Sequence, residues 1–93
     1  MVKVKIPKHA RRVYKILGKV PKPRYNITIN GSWIGKYMDF HAQRVFIPKE
    51  WKTKSKAIAE AKKHLSEGDV EVWECYGSFP EDRAIIWRKS KKR

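Results

Sequence analysis

Nine of the first 24 residues are basic (Lys3, Lys5, Lys8, Arg11, Arg12, Lys15, Lys19, Lys22 and Arg24), and none is acidic. The last six add Arg88, Lys89, Lys91, Lys92 and Arg93, again without an acid. Residues 25–87 hold the other nine Lys/Arg and all nine Asp/Glu, so the two ends carry the whole formal charge of +14. A neutral domain with two cationic ends suits a polyanion. Lysine and arginine neutralise phosphates and release counterions, which gives an affinity that falls steeply with salt. The phosphate contacts expected from this pattern are Lys8, Arg11, Arg12, Lys15, Lys89, Lys91, Lys92 and Arg93. Arg11 and Arg12 gain bidentate reach to guanine if the segment enters a groove.

Aromatic residues interleaved with cations are the second chemical signal. The chain has four Trp, four Tyr and three Phe, more than a minimal core of this size demands. Trp33 and Tyr37 flank Lys36, Trp51 lies between basic neighbours Lys49 and Lys52, and Trp87 precedes the tail. Trp33, Tyr37 and Trp51 are the expected stacking platforms for unpaired bases, and large aromatics also dominate small cores. The core is expected to form from Ile27, Ile29, Phe46, Ile58, Leu65, Val72 and Ile86 with two or three aromatics.

Catalytic and metal chemistry is poorly supported. His9, His41 and His64 are scattered without ligand spacing, and Cys75 is the only cysteine, so neither a zinc cluster nor an intrachain disulfide is expected. The glycines are isolated, which leaves no phosphate-binding loop and no nucleotide cofactor. Asp39 followed by Glu50-Trp51-Lys52 faintly resembles the acid-then-Glu-x-Lys arrangement of metal-dependent nucleases, and Asp39 with His41 offers an acid–base pair. Pro48 interrupts the strand that would carry that Glu. Glu67, Asp69, Glu71 and Glu74 form an acidic pole. It serves either as a solvated edge or as a surface for a protein partner.

The elements that would position these groups follow from period and punctuation. Residues 8–17 fit two periods. A basic amphipathic helix places Ala10, Val13, Tyr14 and Leu17 on one face and Lys8, Arg11, Arg12 and Lys15 on the other, with Gly18 as its stop. A strand through Arg12–Leu17 is the alternative. Val2–Ile6 reads as an edge strand or extended arm, and Pro21-Lys22-Pro23 as a stiff connector. Tyr25–Asn30 alternates into Asn30-Gly31, a strong hairpin signal, so its partner strand is expected from Trp33 towards Tyr37 or Asp39. A short strand Arg44–Ile47 comes next. A helix over 53–67 is capped by Thr53 and closed by Gly68, with Ala57, Ile58, Ala61 and Leu65 as its apolar stripe. Strands over Val70–Tyr76 and Ala84–Trp87 complete the chain.

The expected fold is a single small α+β domain with an antiparallel sheet of about four to five strands and one packed helix. Residues 1–24 form a basic arm or helix, 25–87 the core and 88–93 a basic tail. No apolar run is long enough for a membrane span, and the start lacks a signal-peptide stretch, so a cytoplasmic, nucleoid- or ribonucleoprotein-associated protein is expected. The paucity of side-chain amides against plentiful Lys and Glu fits a thermophilic source. The function expected is non-enzymatic binding of DNA or RNA. The alternatives are a protein-interaction module or accessory factor of a nucleic-acid-processing machine, and a small nuclease or RNase-like toxin.

Overall fold

The computed structural model describes residues 6–90. A 3-10 turn at Lys8–Ala10 runs into helix α1 (Arg11–Leu17), which settles the first segment as helical. Gly18 ends α1 at φ 73°, the left-handed conformation that glycine adopts without a Cβ penalty. Only Ala10 and Val13 of the expected apolar face are buried, and Tyr14 and Leu17 are exposed. The strand expected at Val2–Ile6 lies outside the described residues except for Ile6, which is not in a strand.

Strands β1 (Arg24–Ile29) and β2 (Ser32–Trp33) meet at the Asn30-Gly31 turn, with Ile29 opposite Ser32 and Thr28 opposite Trp33. Asn30 and Gly31 both have positive φ, as the tight hairpin requires. The partner strand does not continue along β1 to Tyr37. After Ile34, whose N–H still donates to Ile27 O at 2.9 Å, the chain leaves the sheet as a separate hairpin. Its strands are β3 (Gly35–Phe40) and β4 (Gln43–Pro48), paired in register from Gly35↔Pro48 to Phe40↔Gln43. The chain then returns to the same edge. Lys49 N donates to Ile34 O at 2.8 Å, and Trp51 exchanges two backbone hydrogen bonds with Tyr25. Residues 32–34 and 51 therefore form one interrupted edge strand, from which β3–β4 projects as an arm.

Gly35 marks the departure. A Cβ there would overlap Ile47 O and stand 2.8 Å from Pro48 Cα, so only glycine lets the two arm strands close at the root. At the tip, His41 and Ala42 both take positive φ, the geometry of a two-residue type I′ turn, without a glycine.

Helix α2 (Lys54–Lys62) starts at Thr53, whose Oγ1 accepts from Lys56 N–H at 3.3 Å. It is shorter than the expected 53–67 span because the last turn tightens into a 3-10 segment at Leu65–Glu67 before Gly68. Strands β5 (Val70–Cys75) and β6 (Arg83–Lys89) follow, separated by a 3-10 turn at Pro80–Asp82. The main sheet has the order β2-β1-β5-β6, antiparallel throughout. The protein is thus a small α+β domain, a four-stranded sheet plus the two-stranded arm.

The core lies between α2 and one sheet face, where Tyr25, Ile27, Ala57, Ala61, Val70 and Val72 are buried together. Ile29, Ile58, Leu65, Ile86 and Trp87 pack around them, half-buried. A register shift opposite Val72 and Trp73 lets both Ile86 and Trp87 turn towards this core. Phe46, expected inside, instead sits half-buried in the arm beside Tyr37, with ring centroids 5.1 Å apart. The departure of the chain at Gly35 carries it away from the core.

Candidate nucleic-acid interface

Alternation along the strands decides what the second sheet face carries. Val70 and Val72 point to α2, so Glu71, Trp73 and Cys75 point the other way, as do their partners Thr28, Asn26 and Arg24 on β1. Trp33 joins this face opposite Thr28, and Arg83, Ile85 and Arg88 join it from β6. No helix among the described residues covers it. Two indoles dominate its centre: Trp33 and Trp73 lie with centroids 5.3 Å apart at 51°. The Arg83 guanidinium sits 5.2 Å from the Trp33 ring and 5.7 Å from the Trp73 ring.

A polar layer fixes the platform from beneath. Trp73 Nε1–H donates to Thr28 Oγ1 at 3.1 Å, and Thr28 donates in turn to Glu71 Oε1 at 3.1 Å. Arg88 Nε donates to Glu71 Oε2 at 2.8 Å. Asn26 gives its amide N–H to Lys49 O at 2.9 Å and accepts from the Cys75 thiol at 3.2 Å. Both Asn26 and Thr28 are buried, and each has its hydrogen-bond partners, so the indoles rest on a satisfied base.

Beside the indoles opens a cleft of about 550 Å³ between the sheet, the Pro21-Lys22 connector, the arm root at Ile47-Pro48 and the Tyr76–Ser78 loop. Lys22, Arg24 and Arg83 line it against a single acid, Glu50, which accepts from Arg24 at 3.2 Å. A volume of this order accommodates a nucleotide unit. Arg83 links the two parts, since it lines the cleft and lies over both rings.

The residues expected from sequence are dispersed. Lys8, Arg11 and Lys15 are exposed on the helical segment, which docks at the β5–β6 end through His9 on Glu74 and Arg12 on Asp82. Lys36 and Tyr37 belong to the arm at the opposite edge of the sheet, and both are exposed. Arg12 is not an unengaged cation, because it makes a two-pronged pair with the fully buried Asp82. Trp33 lies on the uncovered face, half-buried. Trp51 is half-buried against the core with Lys49 Nζ 5.3 Å from its ring. Lys89 is exposed at the end of β6, and Lys91, Lys92 and Arg93 lie outside the described residues.

Trp73, Arg83, Lys22 and Arg24 were missed as a group. The signal for Trp73 was present, since alternation with Val70 and Val72 places it opposite the core. Nothing in the local sequence brings Lys22 and Arg83 together, because that depends on the sheet order.

The acidic pole is largely engaged from within. Glu74 accepts from Tyr25 Oη at 2.9 Å and bonds His9 Nε2 at 2.8 Å, Glu71 holds Arg88, and Glu67 bonds His64. Asp69 is exposed beside the Asn30 turn, where Asn30 Oδ1 accepts its backbone N–H at 3.0 Å. Burial, helped by the bond to Glu74, pushes the Tyr25 hydroxyl up to about 12. Asp39 stands four residues out along the arm from Gly35, about 13 Å at strand spacing, whereas Glu50 follows the arm root and is held by Arg24. The nuclease-like acids therefore do not converge. Among the described residues no three His, Cys, Asp or Glu groups are placed to hold a metal, and no helix is long and apolar enough to cross a membrane.

Comparisons with protein-family models, with curated proteins and with solved structures found no significant match to this chain.

Proposed function

We propose that this protein binds nucleic acid on the uncovered face of its four-stranded sheet. The observation that carries the reading is the Trp33–Trp73 platform with Arg83 across it, opening into a cleft whose cations are Lys22, Arg24 and Arg83. A base stacks on an indole once the guanidinium swings off the ring to a neighbouring phosphate. Such a platform favours unpaired bases, whose faces are accessible, over a stacked duplex. Lys8, Arg11, Lys15, Lys89 and the C-terminal cations add sequence-independent attraction from outside the platform. No step of this reading uses a metal or a cofactor.

Fluorescence anisotropy of labelled single- and double-stranded RNA and DNA over a salt series tests it. Expected is a preference for single strands and a log–log salt slope corresponding to about five or more phosphates. Trp73→Ala should weaken binding by about 1–3 kcal/mol, roughly the value of one stacked base. Weak binding to all four probes near physiological salt, or full affinity in both Trp73→Ala and Arg83→Ala, overturns the proposal.

A further inference from the structure

The arm is the largest feature that the nucleic-acid reading leaves unused. Tyr37, Met38, Phe40, Val45 and Ile47 are all exposed, Tyr37 at 62% and Phe40 at 64%. Register places Met38 with Val45, Lys36 with Ile47 and Phe40 with Gln43 on one face, and Tyr37 with Phe46 and Asp39 with Arg44 on the other. Apolar side chains gathered on both faces of one projecting element mark a surface made for a partner. A two-stranded sheet is also marginal in water, and gains independent stability when further strands join it.

We propose that the arm is a self-association surface, in which β3 of one protomer pairs antiparallel with β3 of a second copy about a two-fold axis. Charge identifies the occupant. Of the +14 on the chain, residues 35–48 carry only Lys36 and Arg44 against Asp39. Here two copies meet with the least repulsion, and here a polyanion finds the least attraction. The edge is identified by proline. β4 ends at Pro48, which has no N–H to donate, whereas the run Lys36–Phe40 keeps every backbone donor. Pairing there yields one sheet of order β4-β3-β3-β4, with Met38, Phe40 and Val45 of both copies contiguous on one face. Such an interface is self-complementary and closes as a dimer. This inference is independent of what the other sheet face binds.

Sedimentation equilibrium of the full chain, from low to high micromolar and at low and molar salt, tests it. Expected is a monomer–dimer equilibrium that tightens with salt, because screening removes the repulsion between two strongly cationic protomers. With Tyr37 facing its own copy across the two-fold and Met38 facing Lys36 of the second copy, Tyr37→Lys and Met38→Lys each set like charges against each other and should each weaken the dimer by about tenfold or more. Their melting temperatures at monomeric concentration should match the parent, since the arm lies outside the core. A chain monomeric at every concentration and salt overturns the proposal. So does a dimer indifferent to both substitutions, or a monomer in which Tyr37→Ala weakens oligonucleotide binding, which would make the arm a nucleic-acid element.

Discussion

Arg12 holds Asp82 with both prongs of its guanidinium: Nε donates to Oδ1 at 2.8 Å and Nη2 to Oδ2 at 2.5 Å. Asp82 is fully buried and also accepts Phe79 N–H at 3.2 Å, while the guanidinium stacks 4.3 Å from the Phe79 ring. One pair thereby fastens the N-terminal helix to the turn before β6. The arginine side of the pair draws the carboxyl below the ordinary carboxylate range.

The sign of that shift sets a pH window. A carboxylate held down in the folded state adds stability that is fully present above its unfolded value, about 4, and is lost as pH falls through the folded value. Melting temperature followed by circular dichroism should therefore drop as pH falls below about 4. Asp82→Asn should flatten that dependence and lower the melting temperature at neutral pH by roughly 5 °C or more, because a buried charge partner is lost. A variant as stable as the parent at neutral pH would show that the pair is dispensable.

The same pair separates a cation engaged within the fold from those that the proposed binding mode sends to phosphates. Lys15→Ala should reduce the salt slope of oligonucleotide binding by about one, as expected for a single lost phosphate contact. Arg12→Lys should lower thermal stability and leave the slope unchanged. A reversed pattern in anisotropy titrations would place Arg12 on the nucleic acid instead.

His64 closes the end of α2 between two acids, bonding Glu67 through Nδ1 and Glu60 through Nε2 at 3.0 Å. The bond to Glu67, reinforced by Glu60, raises the imidazole above its ordinary value, and the bond from His64 lowers Glu60. A raised histidine gives stability that is present below its unfolded value of about 6.5 and fades as pH rises through the folded value. NMR titration of the His64 ring should give a midpoint above about 6.5. Amide protection over residues 60–68, taken relative to the intrinsic exchange rate at each pH, should fall above that midpoint, and His64→Gln should abolish that pH dependence.

Cys75 lines the cleft, yet burial pushes its thiol up and its S–H is spent on Asn26. Reaction with a disulfide reagent at mildly alkaline pH should run about tenfold or more slower than in the unfolded chain, since the thiolate is the nucleophile. Equal rates would mean that the platform opens freely to solvent.

Where local chemistry closes on itself, the fold was legible from sequence. Thr53 caps a helix because its hydroxyl meets Lys56 N–H within one turn, and Asn30-Gly31 turns because both residues accept positive φ. Val70–Cys75 alternates because one face meets α2. Gly35 read as one more strand residue, since the departure it permits is set by Ile47 and Pro48, more than ten positions on. Trp51 stands beside Lys49 and Lys52 in sequence, and its place half-buried at the core rim is set by the bridge to Tyr25, which no local window shows. Trp73 looked like an ordinary strand residue, and only the pairing of β1 with β5 and β6 sets it beside Trp33 and Arg83. The platform is made by sheet order, which no local window encodes.

The hydrogen bond from Lys49 N–H to Ile34 O holds the two ends of the arm together at its root. A segment whose ends already touch is a guest in its host: lengthening it adds only a slowly growing closure entropy, and excising it asks the host only to span a gap that a short turn fills. The arm is therefore a part of this protein that can vary in length without disturbing its host, while the sheet and α2 stay under the constraint of one shared core.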